Sequence, residues 1–146
     1  MRTFVFGLLL SLALVPLGGR YSGASENHAR HGGSGTNPLI EEMIILDSVF
    51  CKVVSAVALG DGARAHKALE SMHGTMEKTH EGVHAGTVTL PRNNNLMKEF
   101  VNLDLKFHEK LEALAEAGER NDQEKMLALT KELIGRCVEC HRTFRR

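Results

Sequence analysis

Two cysteines and a histidine near the C-terminus have the most specific chemistry in this chain. Cys137, Cys140 and His141 stand in the order Cys-x-x-Cys-His, which is the c-type haem attachment signature. On a helix, residues three apart share one face, so both thiols would reach the vinyl groups of one porphyrin. The sequence therefore predicts one covalent haem c held by two thioethers, with His141 as the proximal axial ligand of the iron.

Other chemistries also use paired cysteines, namely a thioredoxin-like redox pair and half of a zinc site. Zinc would be supported by a second Cys-x-x-Cys or by a spaced histidine pair near the C-terminus, and the sequence has neither. A redox pair normally opens a helix after a strand, whereas this pair lies near the end of a helical pattern. A haem-free module that uses Cys137 and Cys140 for thiol redox or metal storage is kept as an alternative.

Residues 1–24 have the pattern of a signal peptide. Arg2 supplies the basic start, residues 4–17 are apolar, and small residues suit cleavage after Ala24. The apolar run is short for a membrane span, so the mature chain is expected to have none; an uncleaved anchor is the alternative. Cleavage would remove Arg2 and Arg20 from 18 basic residues and leave 18 acidic ones, a net charge of −2. We expect a periplasmic protein.

The composition narrows the function classes. Equal numbers of basic and acidic residues, 18 of each, argue against a nucleic-acid binder. The chain has no nucleophile–base pair, phosphate loop or paired acid constellation, so no enzyme activity is predicted. Residues 25–37 are rich in Gly and Ser and are expected to be a flexible leader. Residues 38–146 remain as one domain of helix-favouring composition.

Apolar residues at steps of three and four predict four helices in this domain. The first runs from Pro38 to about Leu59 with Asn37 as its cap, and the second from about Ala63 to Val83 or His84. The third runs from about Leu96 to Ala117, and the fourth opens with a capping box over residues 121–124. Residues 85–95 are expected to form a loop. The predicted fold is an all-α, up-down-up-down four-helix bundle that encloses the haem.

Each predicted helix has one inward stripe. The four stripes, in chain order, are Leu39, Met43, Leu46, Phe50, Val53 and Val57; Leu69, Met72, Met76 and Val83; Leu96, Phe100, Leu103, Phe107, Leu111 and Leu114; and Met126, Leu129, Leu133, Cys137, Cys140 and Phe144. The attachment cysteines continue the buried face of the last helix, which is independent support for a cofactor inside the bundle.

Polar residues within the helices have less specific patterns. His66, His73 and His80 recur at sevens beside the apolar face of the second helix, where polar edge residues are favoured over a metal stripe. His108 is expected to face outward or lie at an edge, and Glu42 to complement the dipole of the first helix. Cys51, the cysteine outside the motif, is expected to be a buried small hydrophobe.

Residues 38–146 resemble cytochrome c prime and its low-spin relatives, the class II c-type cytochromes. The resemblance depends on the Cys137–His141 motif on the last of four helices, followed by Phe144 and Arg145, which match an aromatic and a basic residue common after the motif. It implies that both cysteines bind the porphyrin, that His141 is the proximal ligand and that Arg145 lies near a haem edge.

The resemblance also implies a role for the first helix, which covers the distal face of the haem in this family. A methionine there is the sixth ligand in low-spin members, and Met43 is the matching candidate, with core filling as the alternative. Weaker candidates are Met72, Met76, His73 and His80. The family often has an arginine one turn earlier, where this chain has Leu39. Substitutes for it would be Arg64, Lys67, Arg92 or Arg136.

Two haem functions follow from this resemblance. With Met43 on the iron, the protein would transfer electrons between periplasmic redox partners by Fe(III)/Fe(II) cycling. With five-coordinate iron and an apolar distal pocket, it would bind nitric oxide or carbon monoxide. A homodimer through the first two helices is expected by analogy alone.

Overall fold

The first helix, α1, begins where the sequence provides a cap and a proline. In the computed structural model, which describes residues 37–145, α1 spans Pro38–Ala58. Asn37 Oδ1 accepts a hydrogen bond from Leu39 N at 3.1 Å, and Pro38 occupies the first helical position. The predicted first helix is therefore confirmed. The predicted signal peptide and leader lie outside the described residues, apart from Asn37.

The predicted second helix is wrong in one respect, because the structure divides it in two. Helix α2 spans Gly62–Leu69, a 3₁₀ turn covers Glu70–Met72, and α3 spans Thr75–His84. Between them Gly74 has φ +77°, a left-handed conformation that ends one helix and lets the next begin at a new angle. The break brings Thr75 and Thr79 into the core, whereas the predicted inward residues Met76 and Val83 are only half-buried.

The segment between α3 and the next helix is a loop, as predicted, and contains no strand in the described chain. Val88 and Leu90 are nevertheless buried. Asn93 Nδ2 donates to Thr143 O at 2.8 Å and Arg92 N donates to Phe144 O at 3.2 Å. These bonds hold the loop against the C-terminal end of the last helix.

Two long helices complete the fold: α4 spans Met97–Glu119 and α5 spans Gln123–Phe144. The predicted capping box is wrong by one residue, because the cap of α5 is Asp122, whose Oδ1 accepts from Lys125 N at 3.0 Å. Asn121 instead has φ +52°, and its Oδ1 accepts from Gly62 N at 2.9 Å. Asn121 thus links the α4–α5 turn to the start of α2.

The described chain is all-helical, as predicted, and its helices pack as a bundle in which the second of four is broken into α2 and α3. α1 packs mainly on α2 and α3, α2 also on α4, and α4 on α5. None of these helices is both long and apolar enough to cross a membrane.

The core consists of two clusters of buried side chains. The larger lies among α1, α2, α4 and α5 and includes Val53, Leu114 and Leu133, all fully buried. The smaller cluster is formed by Leu39, Val88, Leu90, Phe100 and Phe144. In it the Phe100 and Phe144 rings meet edge to face with centroids 5.8 Å apart. Met43 packs against both clusters.

Cys51 is exposed, which corrects the prediction that it is buried. Its side of α1 also exposes Ile44 to 66%, together with Ile40 and Val54. The prediction failed because α1 is apolar around most of its circumference, so composition did not mark the outward face.

Candidate functional site

The four residues to which the sequence assigned haem chemistry border one crevice. Cys137, Cys140 and His141 reach it from α5, and Met43 reaches it from α1. The remaining lining residues are Leu46, Phe100, Leu103, Asp104, Phe107, Arg136 and Glu139. The crevice is open to solvent, and its empty volume is about 530 Å³.

Both cysteines of the motif are half-buried and lie one turn apart on α5. Cys137 packs against the larger core cluster and Cys140 against the smaller. Burial raises the pKa of the Cys137 thiol. Burial, followed by the charge of Asp104, raises the pKa of Cys140 to about 11. Thiol redox pairs depend on a lowered pKa, so this environment disfavours the redox-pair alternative.

His141 lies at the exposed rim of the crevice. Partial burial, followed by the positive charge of Arg145, lowers the pKa of His141. The imidazole is therefore neutral at pH 7, and the neutral ring is the form that binds a metal.

Met43 is half-buried on the α1 side of the crevice. The weaker candidates for the sixth ligand, Met72, Met76, His73 and His80, are not among the residues that line this crevice. Met72 is buried in the larger core cluster, His73 is exposed, and His80 bonds to Asp104. Among these methionines and histidines, Met43 is the residue that borders the crevice together with the motif.

Arg136 is the one residue among the four basic candidates that borders the crevice. Its guanidinium lies 3.5 Å from Glu132 Oε1 and 3.6 Å from Glu139 Oε2. Arg136 is therefore held by acidic neighbours on α5 while it faces the crevice.

Sequence reasoning missed a buried polar cluster behind the crevice. Glu42 is 1% exposed, and His108 Nε2 lies 2.6 Å from Glu42 Oε1. His80 Nε2 lies 3.0 Å from Asp104 Oδ2. The outward or edge position expected for His108 is wrong, because the imidazole turns inward to meet the Glu42 carboxylate.

A readable signal for this cluster existed in the helical phase. Glu42 stands three residues after Leu39 and four before Leu46, both in the predicted inward stripe. Asp104 likewise stands between Phe100 and Phe107. Their polarity suggested exposure, whereas their period indicated burial.

The cluster has unusual electrostatics. Burial, followed by the charge of Glu42, raises the pKa of Asp104 to about 6. Burial alone would lower the pKa of His108, but its hydrogen bond to Glu42 and the charges of Asp104 and Glu42 outweigh it, and the net shift is upward. Glu42 Oε2 and Thr79 Oγ1 are buried without a hydrogen-bond partner.

Two of the three histidines that are spaced seven residues apart lie where the sequence predicted polar edge residues. His66 Nδ1 bonds to Ala115 O at 3.0 Å across the α2–α4 contact, and His80 bridges α3 to α4. Both are half-buried. The prediction of edge positions is confirmed for these two, while His73 lies exposed in the break between α2 and α3.

Comparisons with protein-family models, with curated proteins and with solved structures find no match for this chain. Its function is therefore inferred from the Cys137–His141 motif and from the geometry of the crevice.

Proposed function

We propose that this chain is a periplasmic monohaem c-type cytochrome of the class II kind, acting in electron transfer. The observation that carries the proposal is the convergence of Cys137, Cys140, His141 and Met43 on one crevice. The motif supplies the two thiols and the imidazole, and α1 supplies a thioether sulfur on another wall. A second cavity, beside the break between α2 and α3, is bordered by neither cysteine of the motif.

The crevice residues fit a haem. Cys137 and Cys140 would form the two thioether links, His141 would bind the iron on one side and Met43 on the other. Phe100, Leu103 and Phe107 on α4 offer an apolar surface to the macrocycle. When bound, haem supplies one-electron Fe(III)/Fe(II) chemistry.

The protein groups around the crevice would set the redox potential. The apolar wall disfavours the extra positive charge of the ferric form and so raises the potential. The buried Asp104 carboxylate acts in the opposite direction, because a nearby negative charge stabilises the ferric form. The balance of these two effects would tune the potential.

A second haem function, binding of nitric oxide or carbon monoxide, is favoured by the packing of Met43. Its side chain contacts both core clusters, as a residue that fills space would. If Met43 stays in this position, the distal side of the iron is apolar and open to small uncharged ligands.

The proposed partners are periplasmic redox proteins and a second copy of this chain. The exposed apolar side chains of α1, Ile40, Ile44 and Val54, support a homodimer through this helix. The equal numbers of basic and acidic residues argue against nucleic-acid binding. The N-terminal sequence supports export.

The decisive experiment uses the full chain, expressed in cells able to attach haem. It determines the number of reactive thiols per chain and the absorption spectrum of the purified protein. With three cysteines in the sequence, haem attachment should leave one reactive thiol in denatured protein, and the Soret band should survive acid–acetone extraction. The Cys137→Ser/Cys140→Ser variant should lose covalent haem, whereas the control Cys51→Ser should keep it. Colourless wild-type protein with three reactive thiols would refute the proposal.

The role of Met43 separates the two haem functions. If its sulfur binds iron, Met43→Ala should convert a six-coordinate, low-spin spectrum into a high-spin one and open the site to carbon monoxide. Met76→Ala, a half-buried methionine that does not line the crevice, is the matched control and should leave the spectrum unchanged. A wild-type protein that is already high-spin and binds carbon monoxide rapidly would favour the gas-binding function instead.

A further inference from the structure

We propose that Glu42, Asp104 and His108 bind one divalent transition-metal ion at the contact between α1 and α4. This site shares Asp104 with the wall of the crevice, but it does not require the proposed function. It lies inside the bundle, and each of its three residues is buried.

The geometry of the three side chains suits a single ion. One ligand atom from each residue lies within 4.8 Å of the other two. Ligand atoms about 2.0–2.2 Å from a common ion can be at most roughly 4.4 Å apart. The three ligand atoms are therefore close enough for side-chain movements to bring them onto one ion.

The hydrogen bonds within the cluster leave one carboxylate oxygen of Glu42 without a partner. Glu42 is 1% exposed, and its Oε1 meets His108 while its Oε2 has no partner. Thr75 does not supply the missing bond, since its hydroxyl donates to Met72 O at 2.8 Å and lies 3.4 Å from Glu42 Oε1. A buried, unpartnered carboxylate oxygen is costly, and an ion would satisfy it.

The charges lead to the same conclusion. Glu42 and Asp104 are two buried carboxylates, and each is opposed by one histidine that is charged only when protonated. A divalent ion would neutralise both carboxylates at neutral pH. Its binding would displace the proton between His108 Nε2 and Glu42 Oε1, as metal binding to imidazole requires.

A second cavity gives the ion an access route. It has an empty volume of about 580 Å³, lies beside the break between α2 and α3, and has His108 in its wall. Its other polar lining residues are His66, Glu70, His73, Glu77 and Glu112. Three carboxylates and two imidazoles would attract a cation and pass it inward toward His108.

The ligand types narrow the choice of ion. Calcium prefers six to eight oxygen ligands, and magnesium rarely binds through imidazole. One imidazole with two carboxylates suits zinc, ferrous iron or manganese. Asp104 Oδ2 also meets His80 at 3.0 Å, so His80 would orient the Asp104 ligand from outside the coordination shell.

The test is calorimetric titration of the full chain with Zn²⁺ after removal of adventitious metal. We expect one tight equivalent, bound at least tenfold more weakly by Glu42→Gln and by Asp104→Asn. Glu41→Gln and Asp47→Asn change exposed acids on α1 and should leave binding unchanged. Equal affinity in all four variants would mean that zinc binds surface residues and would overturn the proposal.

X-ray absorption at the zinc edge provides an independent measurement on the unaltered chain, so a folding defect in a variant cannot obscure the answer. The expected spectrum has nitrogen and oxygen ligands only. Sulfur at about 2.3 Å would place the ion on the cysteines instead and would overturn the assignment. Absence of bound zinc at one equivalent would do the same, and an ordered water would then be the partner of Glu42.

Discussion

Glu42 and Asp104 are carboxylates that the fold buries beside apolar side chains. Burying a charge without full pairing costs several kcal/mol in typical proteins. Here the cost appears in the raised pKa of Asp104, which reaches about 6. The folded protein therefore holds protons in this cluster more tightly than the unfolded chain does, which makes stability depend on pH.

We predict that the free energy of unfolding of the metal-free protein decreases as the pH rises from 5 to 8. A raised carboxyl pKa means that the protonated native state is favoured, so this stabilisation is lost as pH rises through about 6. The raised pKa of His108 acts in the same direction above its ordinary value of 6.5. The Asp104 contribution over this range is roughly 1–2 kcal/mol.

Urea unfolding with a chelator present, at four pH values across this range, measures the slope. Asp104→Asn cannot ionise and should flatten most of it, whereas the exposed control Asp47→Asn should keep it. A slope in Asp104→Asn as steep as in the wild type would show that other groups cause the pH dependence.

At the residue scale, the sequence predicted the positions of apolar core residues better than the surroundings of polar side chains. The haem chemistry of the Cys137–His141 motif stays a prediction, whereas the burial that helical phase predicted for Leu133 and Phe144 is confirmed. The prediction failed at Glu42, where polarity was taken to mean exposure although the helical phase indicated burial, and at His108. The burial of each depends on the other, and the two residues stand 66 positions apart in the chain. Pairing across such a distance leaves no local pattern.

At the scale of elements, two glycines bring α2 and α4 into backbone contact. A Cβ atom added at Gly118 would lie 2.8 Å from Gly62 O and 3.1 Å from His66 N. Both are main-chain atoms, so neither can rotate away. The sequence predicted that this helix ends at about Ala117, but α4 continues to Glu119, and Gly118 is needed for this close approach.

Gly118→Ala is therefore expected to destabilise the fold by about 1–3 kcal/mol, because the added methyl group must push two backbones apart. Gly135→Ala is the matched control. Gly135 lies in α5, and a Cβ there would meet nothing within 4 Å. This control should stabilise the helix by about 0.5–1 kcal/mol, since alanine is the better helix former. Chemical denaturation of both variants checks the difference, and equal effects would contradict the packing argument.

The spacing of apolar residues predicted that the helices exist, but three-dimensional contacts determine where the helices break and which residues cap them. The stripe from Leu69 to Val83 contains glycine at position 74, and the pattern alone did not reveal that this glycine takes a left-handed conformation. Likewise Asp122 rather than Asn121 caps α5, because Asn121 is engaged by Gly62 N. Both outcomes depend on how α2 docks on α4.

At the scale of the whole molecule, residues of the crevice lie between a larger and a smaller core cluster. The larger core cluster is continuous through α1, α2, α4 and α5. The smaller cluster has five buried members, and two of them belong to the loop before α4. Met43, Cys137 and Cys140 lie between the clusters, where a bound cofactor would join them.

If the chain binds haem as proposed, we therefore predict that preventing haem attachment loosens the packing of the two clusters unequally. In the full-length Cys137→Ser/Cys140→Ser variant, amides of α2 and the middle of α4 should stay protected from hydrogen exchange, because they surround the larger cluster. Amides in α5 beyond residue 137 and in the loop at residues 88–90 should exchange at least tenfold faster than in the haem-loaded protein, since their packing depends on the small cluster. Hydrogen exchange followed by mass spectrometry resolves these segments. Uniform protection along the variant would mean that the polypeptide packs fully by itself, whereas uniform loss would mean that the larger cluster also needs the cofactor.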